Sequence, residues 1–508
     1  MYVDLRTSEV RQEVLAAAQE IPARPVIIAN VVMWNSKQER VDVPVGQSSP
    51  SAGLRARSFS GKALKWTNFL LIVLGGASLL VYRVSLQARS GDDIDWFIKV
   101  ALGQSLIYLF AAWIVFRARS SRSTLVLVIV FAALFRLSLL FAPPYLSNDI
   151  YRYIWDGRVQ ATAVNPYRYI PADEALAPLR DENIYPRINR RDYAHTIYPP
   201  GAQIIYFLAT RVSENVTWMK TVMVGFEALT IWALLQLLAA FNLPRQRVLI
   251  YAWHPLLVWE IAGSGHVEAA AIAFVVLALL ARQRRWEAVA GAALAGATLI
   301  KLFPVILLPA LYRRWGWKLP VVFGLTIIIA YLPYLSVGVK GVLGFLPGYA
   351  QEEGLQNGTQ FYLLSLARRA FGEAKVPSVG YLIFAVLALG LIALWSFWKW
   401  EDHDRTYILR ALAIATAFVV LLSPHYAWYF AWLVAFTCLL PRLPLFYLTT
   451  VCFILYRLWH PDGPAQLLLL NSIIYLPFAL LGLIAIFRRA GKDPTRDGVN
   501  HRLETEPV

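Results

Sequence analysis

Four side chains that could do chemistry recur at helical spacing in one polar segment of the chain. They are Asp149, Arg152, Tyr153 and Asp156. Spacings of three, four and seven residues place them on one face of a helix. A carboxylate on such a face could take a proton from a hydroxyl, and a guanidinium could hold a phosphate. The Ser-Asn-Asp sequence that ends at Asp149 is also typical of a helix N-cap, so capping with ion pairing is the competing interpretation.

The surrounding segment, 143–217, is unusually polar for a connection between apolar runs. Its first part, 143–201, holds seven Arg, no Lys and seven acidic residues. Because the two charges balance, internal salt bridges would occupy part of these arginines. The others are candidates for a phosphate site, since the planar guanidinium matches phosphate oxygens. We place Arg152 and Arg158 among these candidates.

The rest of the chain is suited to a membrane. Of 508 residues, 58% are hydrophobic and 16% charged, with a mean hydropathy of +0.51. Soluble domains have about 45–50% apolar and about 25% charged residues. The sequence therefore predicts an all-α polytopic membrane protein with about 13–14 transmembrane helices, since about 20 apolar residues cross a bilayer. The candidate spans are 64–83, 96–117, 122–142, 218–241, 248–262, 266–281, 286–301, 302–314, 318–337, 378–399, 406–422, 426–440, 443–459 and 466–487.

Short loops rich in Lys and Arg alternate with loops that contain almost none. The positive-inside rule then places both termini in the cytoplasm. The segments 143–217 and 338–377 fall outside, provided that 199–212 lies in the membrane interface as a short helix. The predicted divisions are a largely disordered cytoplasmic tail (1–62), a membrane domain (63–490) and a cytoplasmic C-terminal tail (491–508). The second outer loop is either a flexible lid or a solvated connector, and its polar residues include Tyr349, Glu352, Glu353, Gln356 and Asn357.

Lys301, His266 and Glu268 are charged or titratable residues beside apolar runs. Pro304 and Pro309 interrupt the spans around Lys301, which predicts a broken hairpin. A charge at membrane depth costs about 2.5–3.5 kcal/mol on insertion scales, so Lys301 either snorkels to the interface or binds a lipid phosphate. His266 and Glu268 lie in a Gly-rich turn that opens a helix, where an anion could bind; Glu268 could equally serve the helix dipole.

Three motifs carry a resemblance to a known family. They are DIYRYIWDGR from Asp149, NPYRY at 165–169 and YPPGAQ at 198–203, with weaker matches at GHVEA (265–269), LIKLFP (299–304) and SPHYAWYF (423–430). The chain resembles the bacterial polyprenyl-phosphate-mannose-dependent mannosyltransferases of the GT-C class of integral-membrane glycosyltransferases. Members of the class commonly carry their active-site loop after the first span, whereas the loop here follows the third.

The resemblance implies a GT-C fold with short interfacial helices in the first large outer loop. It also implies that Asp149 is the general base and that the site faces the extracytoplasmic side of a bacterial inner membrane. The implied partners are a polyprenyl-phosphate-linked sugar donor, a glycolipid or glycan acceptor and membrane lipid. Direct attack by the acceptor would invert the anomeric carbon. A retaining scheme would need Asp156 near the same carbon and is less favoured.

On this hypothesis, Arg152, Arg158, Lys301 and His266 bind the donor phosphate. The remaining candidates contact substrate, and for each aromatic residue an interfacial belt is the competing interpretation. They are Tyr153, Trp155, Asp156, Tyr167, Tyr198, Glu268, His425 and Tyr426.

Several classes of protein are excluded or less favoured. The chain has no ATP-binding GxxxxGK[ST] motif and no nucleic-acid-reading motif. No His/Asp/Glu cluster has metal-ligand spacing, so we predict neither a metal nor another cofactor. A secondary transporter or lipid-carrier flippase is the alternative from another class, although no internal repeat is evident. Among enzymes, the alternative is a transferase that uses another sugar or a protein acceptor.

Overall fold

Helices are the only regular secondary structure in the part of the chain that the structure, a computed structural model, describes. That part comprises residues 50–87, 94–313, 316–354, 358, 360–398, 405–459 and 464–490, and no strand occurs in it, which confirms the predicted all-α class. Most of the predicted N-terminal tail (1–49), the C-terminal tail and the loop residues Gln356 and Asn357 lie outside it. The chain divides into two units, Pro44–Ala479 and Met1–Val43 with Leu480–Val508, and every predicted site residue belongs to the first.

The helices are numbered here in chain order. The α-helices are α1 (Pro50–Gln87), α2 (Ile94–Arg117), α3 (Arg122–Leu140), α4 (Asp149–Ala161), α5 (Pro200–Val212), α6 (Val216–Ala240), α7 (Leu249–Ala252), α8 (Pro255–Leu257), α9 (Glu268–Gln283), α10 (Glu287–Thr298), α11 (Leu308–Leu311), α12 (Lys318–Tyr331), α13 (Gly338–Gly341), α14 (Leu346–Glu352), α15 (Tyr362–Phe371), α16 (Ser378–Trp398), α17 (Thr406–Leu422), α18 (Ala431–Leu439), α19 (Leu443–Val451) and α20 (Pro464–Ala490). A π-helical segment occupies Val258–Gly263. Segments of 3-10 helix occupy Glu174–Leu179, Tyr185–Arg187, Arg245–Val248, Phe303–Leu307, Leu332–Val337, Glu373–Lys375, Ala427–Phe430 and Cys452–Trp459.

Seven of the predicted spans correspond to helices that are long and apolar enough to cross a membrane. They are Ala63–Leu86, Ile94–Arg117, Arg122–Leu140, Val216–Ala240, Lys318–Gly341, Ser378–Phe397 and Gln466–Arg488. These helices leave large side chains such as Ile328, Ile329 and Leu387 about 60% exposed. Apolar surface of this extent needs lipid or another apolar partner, so the chain is a membrane protein.

The other seven predicted spans form shorter or interrupted helices. Three of them coincide with the apolar helices Thr406–Leu422, Ala427–Leu439 and Leu443–Leu458. The four predicted between 248 and 314 are interrupted by turns and proline residues, and most of their residues are buried by protein neighbours. At the other end, α1 begins at Pro50, so residues 50–62 are helical where the sequence predicts a disordered tail.

Helix α4 presents its first turn to the predicted site, and α5 packs along it. Asp149 in the first turn and Arg158 in the last turn both complement the helix dipole. Gly157 permits the close contact with α5, because a Cβ at this position would lie 2.5 Å from the Tyr206 carbonyl oxygen. Pro200, at the start of α5, suits a helical first turn, where no N–H partner is needed.

Two buried cations fix the path of the chain between α3 and α4. Lys220 of α6 donates from Nζ to the carbonyl oxygens of Leu139 and Ala142, each at 2.8 Å, and so satisfies the free end of α3. One helical turn deeper, Arg136 of α3 makes a two-point ion pair with Glu227 of α6, at 2.8 and 3.1 Å. The chain therefore leaves the third long helix on a defined path, and Asp149 follows after eight residues.

Candidate active site

A cavity of about 300 Å³ lies at the N-terminus of α4. We call it the Asp149 cavity. Its wall contains five of the predicted site residues: Asp149, Arg152, Tyr198, Lys301 and Tyr426. These residues come from 143–217, which we call the first outer loop after its predicted location, from the turn after α10 and from the segment before α18. The three segments are far apart in the sequence. The fold therefore brings a carboxylate, two cations and two aromatic rings to one place.

Two side chains hold the carboxylate of Asp149 in this cavity. Asn189 donates from Nδ2 to Oδ1 at 2.6 Å, and the Tyr198 hydroxyl donates to Oδ2 at 3.1 Å. The N-cap position of α4 is Asn148, and its side chain makes no capping hydrogen bond. Burial and the negative charge of Asp149 raise the pKa of Tyr198 well above its ordinary value, so the hydroxyl stays a donor. The carboxylate is oriented by its neighbours, lies half-buried and still faces open space.

Lys301 lies in the turn between α10 and the following 3-10 segment. Its Nζ is 2.8 Å from Glu268 Oε1, and 5.5 and 5.7 Å from the ring centroids of Tyr198 and Tyr429. The side chain is 14% exposed, so it is directed into the Asp149 cavity and does not snorkel away from the protein. An ammonium held in this way presents a positive charge to any ligand that enters the cavity.

Glu268 and His266 lie behind Lys301, outside the cavity wall. His266 Nδ1 is 3.5 Å from Glu268 Oε2, and His266 Nε2 is 3.3 Å from Glu260 Oε2. The imidazole also stacks on Trp428, with 4.4 Å between ring centroids, and Trp428 itself lines the cavity. This arrangement therefore does not favour the predicted direct contact between His266 and a donor phosphate. Both residues support groups that line the wall.

Arg152 and Asp156 form a buried ion pair. Arg152 Nε is 2.8 Å from Asp156 Oδ1, and Nη1 donates to the Ala194 carbonyl oxygen at 3.1 Å. The other oxygen of Asp156 accepts from Thr196 Oγ1 at 2.5 Å and from Gln203 Nε2 at 2.9 Å. Arg152 lines the cavity, whereas Asp156 is buried next to α5 and does not. Asp156 thus holds the loop against α5 and is not placed to contact a ligand in the cavity.

Arg158, predicted to bind phosphate, is fully engaged in salt bridges away from the cavity. Its Nη2 is 2.6 Å from Asp181 and its Nε 2.8 Å from Glu214. Its Nη1 donates to the Leu179 carbonyl oxygen at 3.0 Å. Burial opposes ionisation of Asp181, but hydrogen bonds from the Ile184 backbone and from Arg158 outweigh it and lower the pKa of Asp181. Arg158 therefore fits the salt-bridge interpretation and fastens the outer loop.

Two predicted aromatic ligands, Tyr153 and Trp155, are buried behind the wall. Tyr153 stacks on Tyr206 with 4.5 Å between centroids and meets the edge of Tyr198 at 5.1 Å. Trp155 packs on Tyr185 at 5.6 Å. Neither residue lines the cavity, because the two sides of α4 beyond its first turn are covered by α5 and by the loop. Their rings build the core that supports Tyr198.

The other two predicted aromatic contacts, Tyr167 and His425, also lie outside the cavity wall. The Tyr167 hydroxyl donates to the Tyr198 carbonyl oxygen at 2.6 Å and so supports the segment that carries the donor to Asp149. His425 Nδ1 is 3.3 Å from Glu353 Oε2, in the second outer loop. Among the residues that the structure describes, no three His, Cys, Asp or Glu side chains are grouped to hold a metal ion.

A comparison with protein families found a match for one part of the chain. Residues 73–318 match the MptA_B family model, described as "Alpha-(1->6)-mannopyranosyltransferase, N-terminal domain". The match covers just under half of the chain, so it shows what this segment is similar to. Searches of curated proteins and of solved structures found no match.

The matched segment, 73–318, accounts for only part of the cavity. Asp149, Tyr198 and Lys301 lie within 73–318, whereas Tyr349 and the segment 426–429 complete the wall from outside it. The helices indicate a membrane protein, and the match shows that residues 73–318 are similar to this mannosyltransferase family, which is consistent with the GT-C fold. The activity that the match supports is mannosyl transfer.

Sequence reasoning missed two residues that line the cavity, Asn189 and Arg190. Arg190 lines the cavity and its Nε is 2.6 Å from Glu352 Oε2 on the second outer loop. Tyr193 donates to the other oxygen of Glu352 at 2.9 Å. Nothing local in the Asn-Arg-Arg sequence distinguishes these residues. Their importance arises from the way in which the loop folds back over α4.

The segment 338–377, predicted to be the second outer loop, adjoins the cavity as well, through Tyr349. The Tyr349 hydroxyl is 2.8 Å from the Tyr429 hydroxyl, and its ring lies 5.7 Å from the Arg190 guanidinium. Tyr349 lines the cavity and Glu352 binds Arg190 from outside the wall, and these contacts agree better with the lid interpretation than with a solvated connector. His425 and Glu353 extend the same set of contacts.

Proposed function

We propose that this chain transfers a mannosyl group from a polyprenyl-phosphate-linked donor to a hydroxyl of a glycan or glycolipid acceptor. The carrying observation is the Asp149 carboxylate, which is oriented by two donors in a cavity that also receives Lys301. A carboxylate beside a cation is the minimum that the reaction needs. The carboxylate activates the incoming alcohol, and the cation neutralises the departing phosphate.

In the proposed step, the acceptor hydroxyl gives its proton to Asp149 while its oxygen attacks the anomeric carbon. The bond from that carbon to the phosphate oxygen breaks, and polyprenyl phosphate leaves with the electron pair. Lys301 and Arg190 line the same cavity and would balance the charge that develops on the phosphate. Protonation of the leaving group is unnecessary, because a phosphate monoester is already a good leaving group.

We further propose that the transfer inverts the anomeric carbon. A retaining mechanism needs a second carboxylate about 5–5.5 Å from the first. The nearest candidate on the same helix, Asp156, is occupied by Arg152, Thr196 and Gln203. If the product carries the α-(1→6) linkage named by the family, inversion requires a β-linked donor.

The charge pattern of the short loops supports a site on the extracytoplasmic side of the membrane. The basic short loops favour the cytoplasm for both termini, which leaves Asp149 and both polar loops on the outer face of a bacterial inner membrane. A lipid-linked donor suits that location, because its prenyl chain stays in the bilayer while its phosphate reaches the Asp149 cavity at the membrane surface.

The proposal is tested with purified protein in vesicles that contain polyprenyl-phosphate mannose of either anomeric configuration. We expect mannosyl transfer to an oligomannoside acceptor from the β-linked donor only, with one polyprenyl phosphate released per sugar transferred. Nuclear magnetic resonance of the product gives the linkage and configuration. Use of a nucleotide sugar in place of the lipid donor, or counterflow of a soluble substrate without a covalent product, would contradict the proposal.

The hydrogen bond from Tyr198 to Asp149 predicts a moderate loss of activity when the Tyr198 hydroxyl is removed. Tyr198→Phe should lower the turnover number roughly tenfold, since a hydrogen bond to a charged group is worth about 1.5–3 kcal/mol. The donor KM should change little, because Lys301 remains. Tyr206→Phe is the matched control: it removes a buried hydroxyl that has no hydrogen-bond partner in the described structure and does not line the cavity. Equal rates for the two variants would show that the Tyr198 hydroxyl does not act on Asp149.

A further inference from the structure

A second, open cavity of about 390 Å³ adjoins the Asp149 cavity. We call it the distal cleft. Its lining residues are Tyr167, Arg168, His195, Val337, Gly341 and Gly344. His195 lines both cavities, so the two share a wall. A ligand that occupied the distal cleft could therefore extend past His195 towards Asp149.

The two sides of the distal cleft are fastened to each other. Asn165 Nδ2 donates to the Tyr334 carbonyl oxygen at 2.8 Å and to Ser336 Oγ at 2.9 Å. Below them, the Tyr167 and Tyr334 rings meet edge to face, with 5.5 Å between centroids. These contacts join the first outer loop to the segment that follows α12. The cleft is thus a shaped part of the fold.

Gly344 closes one end of the distal cleft by a contact that only glycine permits. Its φ is +53°, and a Cβ on it would lie 1.8 Å from the Thr196 carbonyl oxygen. The next residue, Phe345, donates its N–H to that same oxygen at 3.3 Å. The backbone on this side is therefore held against the loop that carries His195.

The exposed chemistry of the distal cleft suits a neutral polyol. Arg168 is exposed and its side chain makes no hydrogen bond or ion pair with the described residues, so its five donors are available. Burial and the positive charge of Arg152 lower the pKa of His195, so its ring is neutral at neutral pH and can donate and accept. The Tyr167 ring and the two glycines add an apolar face and accessible backbone.

A reaction between two substrates needs a binding site for the acceptor as well as one for the donor. The donor phosphate and the transferred sugar must lie against Lys301 and Asp149, so the acceptor must reach Asp149 from another side of the cavity. We infer that the distal cleft binds the preceding sugars of the acceptor glycan, so that its terminal hydroxyl reaches Asp149 past His195. This inference rests on the proposed function and adds to it a site for the acceptor chain.

Two variants test the inference, and one serves as a control. Val337→Trp should fill the distal cleft, and Arg168→Ala should remove its free donors. Lys340→Ala removes an exposed positive charge from α13 that does not line the cleft. The probes are mannose and α-(1→6)-linked mannobiose to mannotetraose. Saturation-transfer magnetic resonance measures their binding, and initial rates of mannosyl transfer are measured separately.

We expect wild-type protein and Lys340→Ala to bind the tetrasaccharide more tightly than mannose and to use it with a lower KM. Arg168→Ala should weaken tetrasaccharide binding roughly tenfold, as the loss of a charge-assisted hydrogen bond would. Val337→Trp should abolish the preference for longer acceptors and leave the donor KM unchanged. Preserved chain-length preference in both cleft variants would overturn the inference, as would absence of oligomannoside binding to wild-type protein. Binding that depends on the cleft, without any transfer from polyprenyl-phosphate mannose, would instead overturn the proposed function.

Discussion

Asp149→Asn is expected to lower the turnover number for mannosyl transfer by about 10²- to 10⁴-fold, the usual contribution of a positioned general base. The amide has nearly the shape of the carboxylate and can still accept a hydrogen bond from Tyr198, which lies 3.1 Å from Oδ2 in the native protein. It cannot take the proton of the acceptor hydroxyl. The donor KM should stay within a few-fold of its original value, because Lys301 and Arg190 still line the cavity.

The measurement for this variant is the initial rate at saturating donor, together with donor binding in the absence of acceptor. Asp192→Asn is the matched control, because Asp192 is an acid of the same loop with a side chain 71% exposed and lies outside the cavity wall. The control should transfer at the wild-type rate. Near-wild-type transfer by Asp149→Asn would remove this residue from the role of base.

The position of Asp149 could be predicted because two local signals coincide there. An apolar span ends a few residues before it, and a helix with an acidic first turn begins at it. The same periodicity also selected Tyr153 and Asp156, which the fold directs elsewhere. Only the first turn of α4 reaches the cavity, since α5 and the outer loop cover the rest. Helical spacing identifies a face but does not tell which part of that face is covered by the rest of the chain.

The number of long spans shows a second limit of sequence reasoning. A helix that faces lipid and a helix buried by protein are equally apolar, so hydropathy cannot separate them. The sequence predicts α9 as a span of the same kind as α16. In the structure, nearly all of α9 is buried, whereas Ser378–Phe397 has 17% of its apolar window buried. Proline and glycine in the region around Lys301 gave the better signal, because they mark where a helix must stop.

The charged residues also differ in how far the sequence alone reveals their role. Lys301 stood out because an ammonium among apolar residues needs a partner, and the structure supplies Glu268 at 2.8 Å. Arg158 and Arg190 belong to one arginine-rich loop and have no distinguishing neighbours in the sequence. Arg158 is enclosed by Asp181 and Glu214, whereas Arg190 lines the cavity. Only the path of the loop decides between a structural and a ligand-facing arginine.

Lys301→Gln should lower kcat/KM for the lipid-linked donor by roughly 10²-fold, the typical effect of removing one group that stabilises developing negative charge. The expected loss is large because Lys301 combines burial, a fixed partner and direct access to the cavity. Arg158→Gln, which removes a cation of the outer loop that does not line the cavity, should lower thermal stability and leave donor kinetics unchanged.

A structural explanation for such a loss must be separated from a catalytic one, because Lys301→Gln leaves Glu268 as a buried carboxylate without its ammonium partner, and this arrangement is destabilising. The double variant Glu268→Gln/Lys301→Gln removes that uncompensated charge. We expect thermal stability to recover in the double variant while kcat/KM stays as low as in Lys301→Gln, since the phosphate still lacks its cation. Recovery of kcat/KM together with stability would show that Lys301 serves only to neutralise Glu268. A loss of kcat/KM that persists in a stable double variant would show that the donor phosphate needs the positive charge of Lys301.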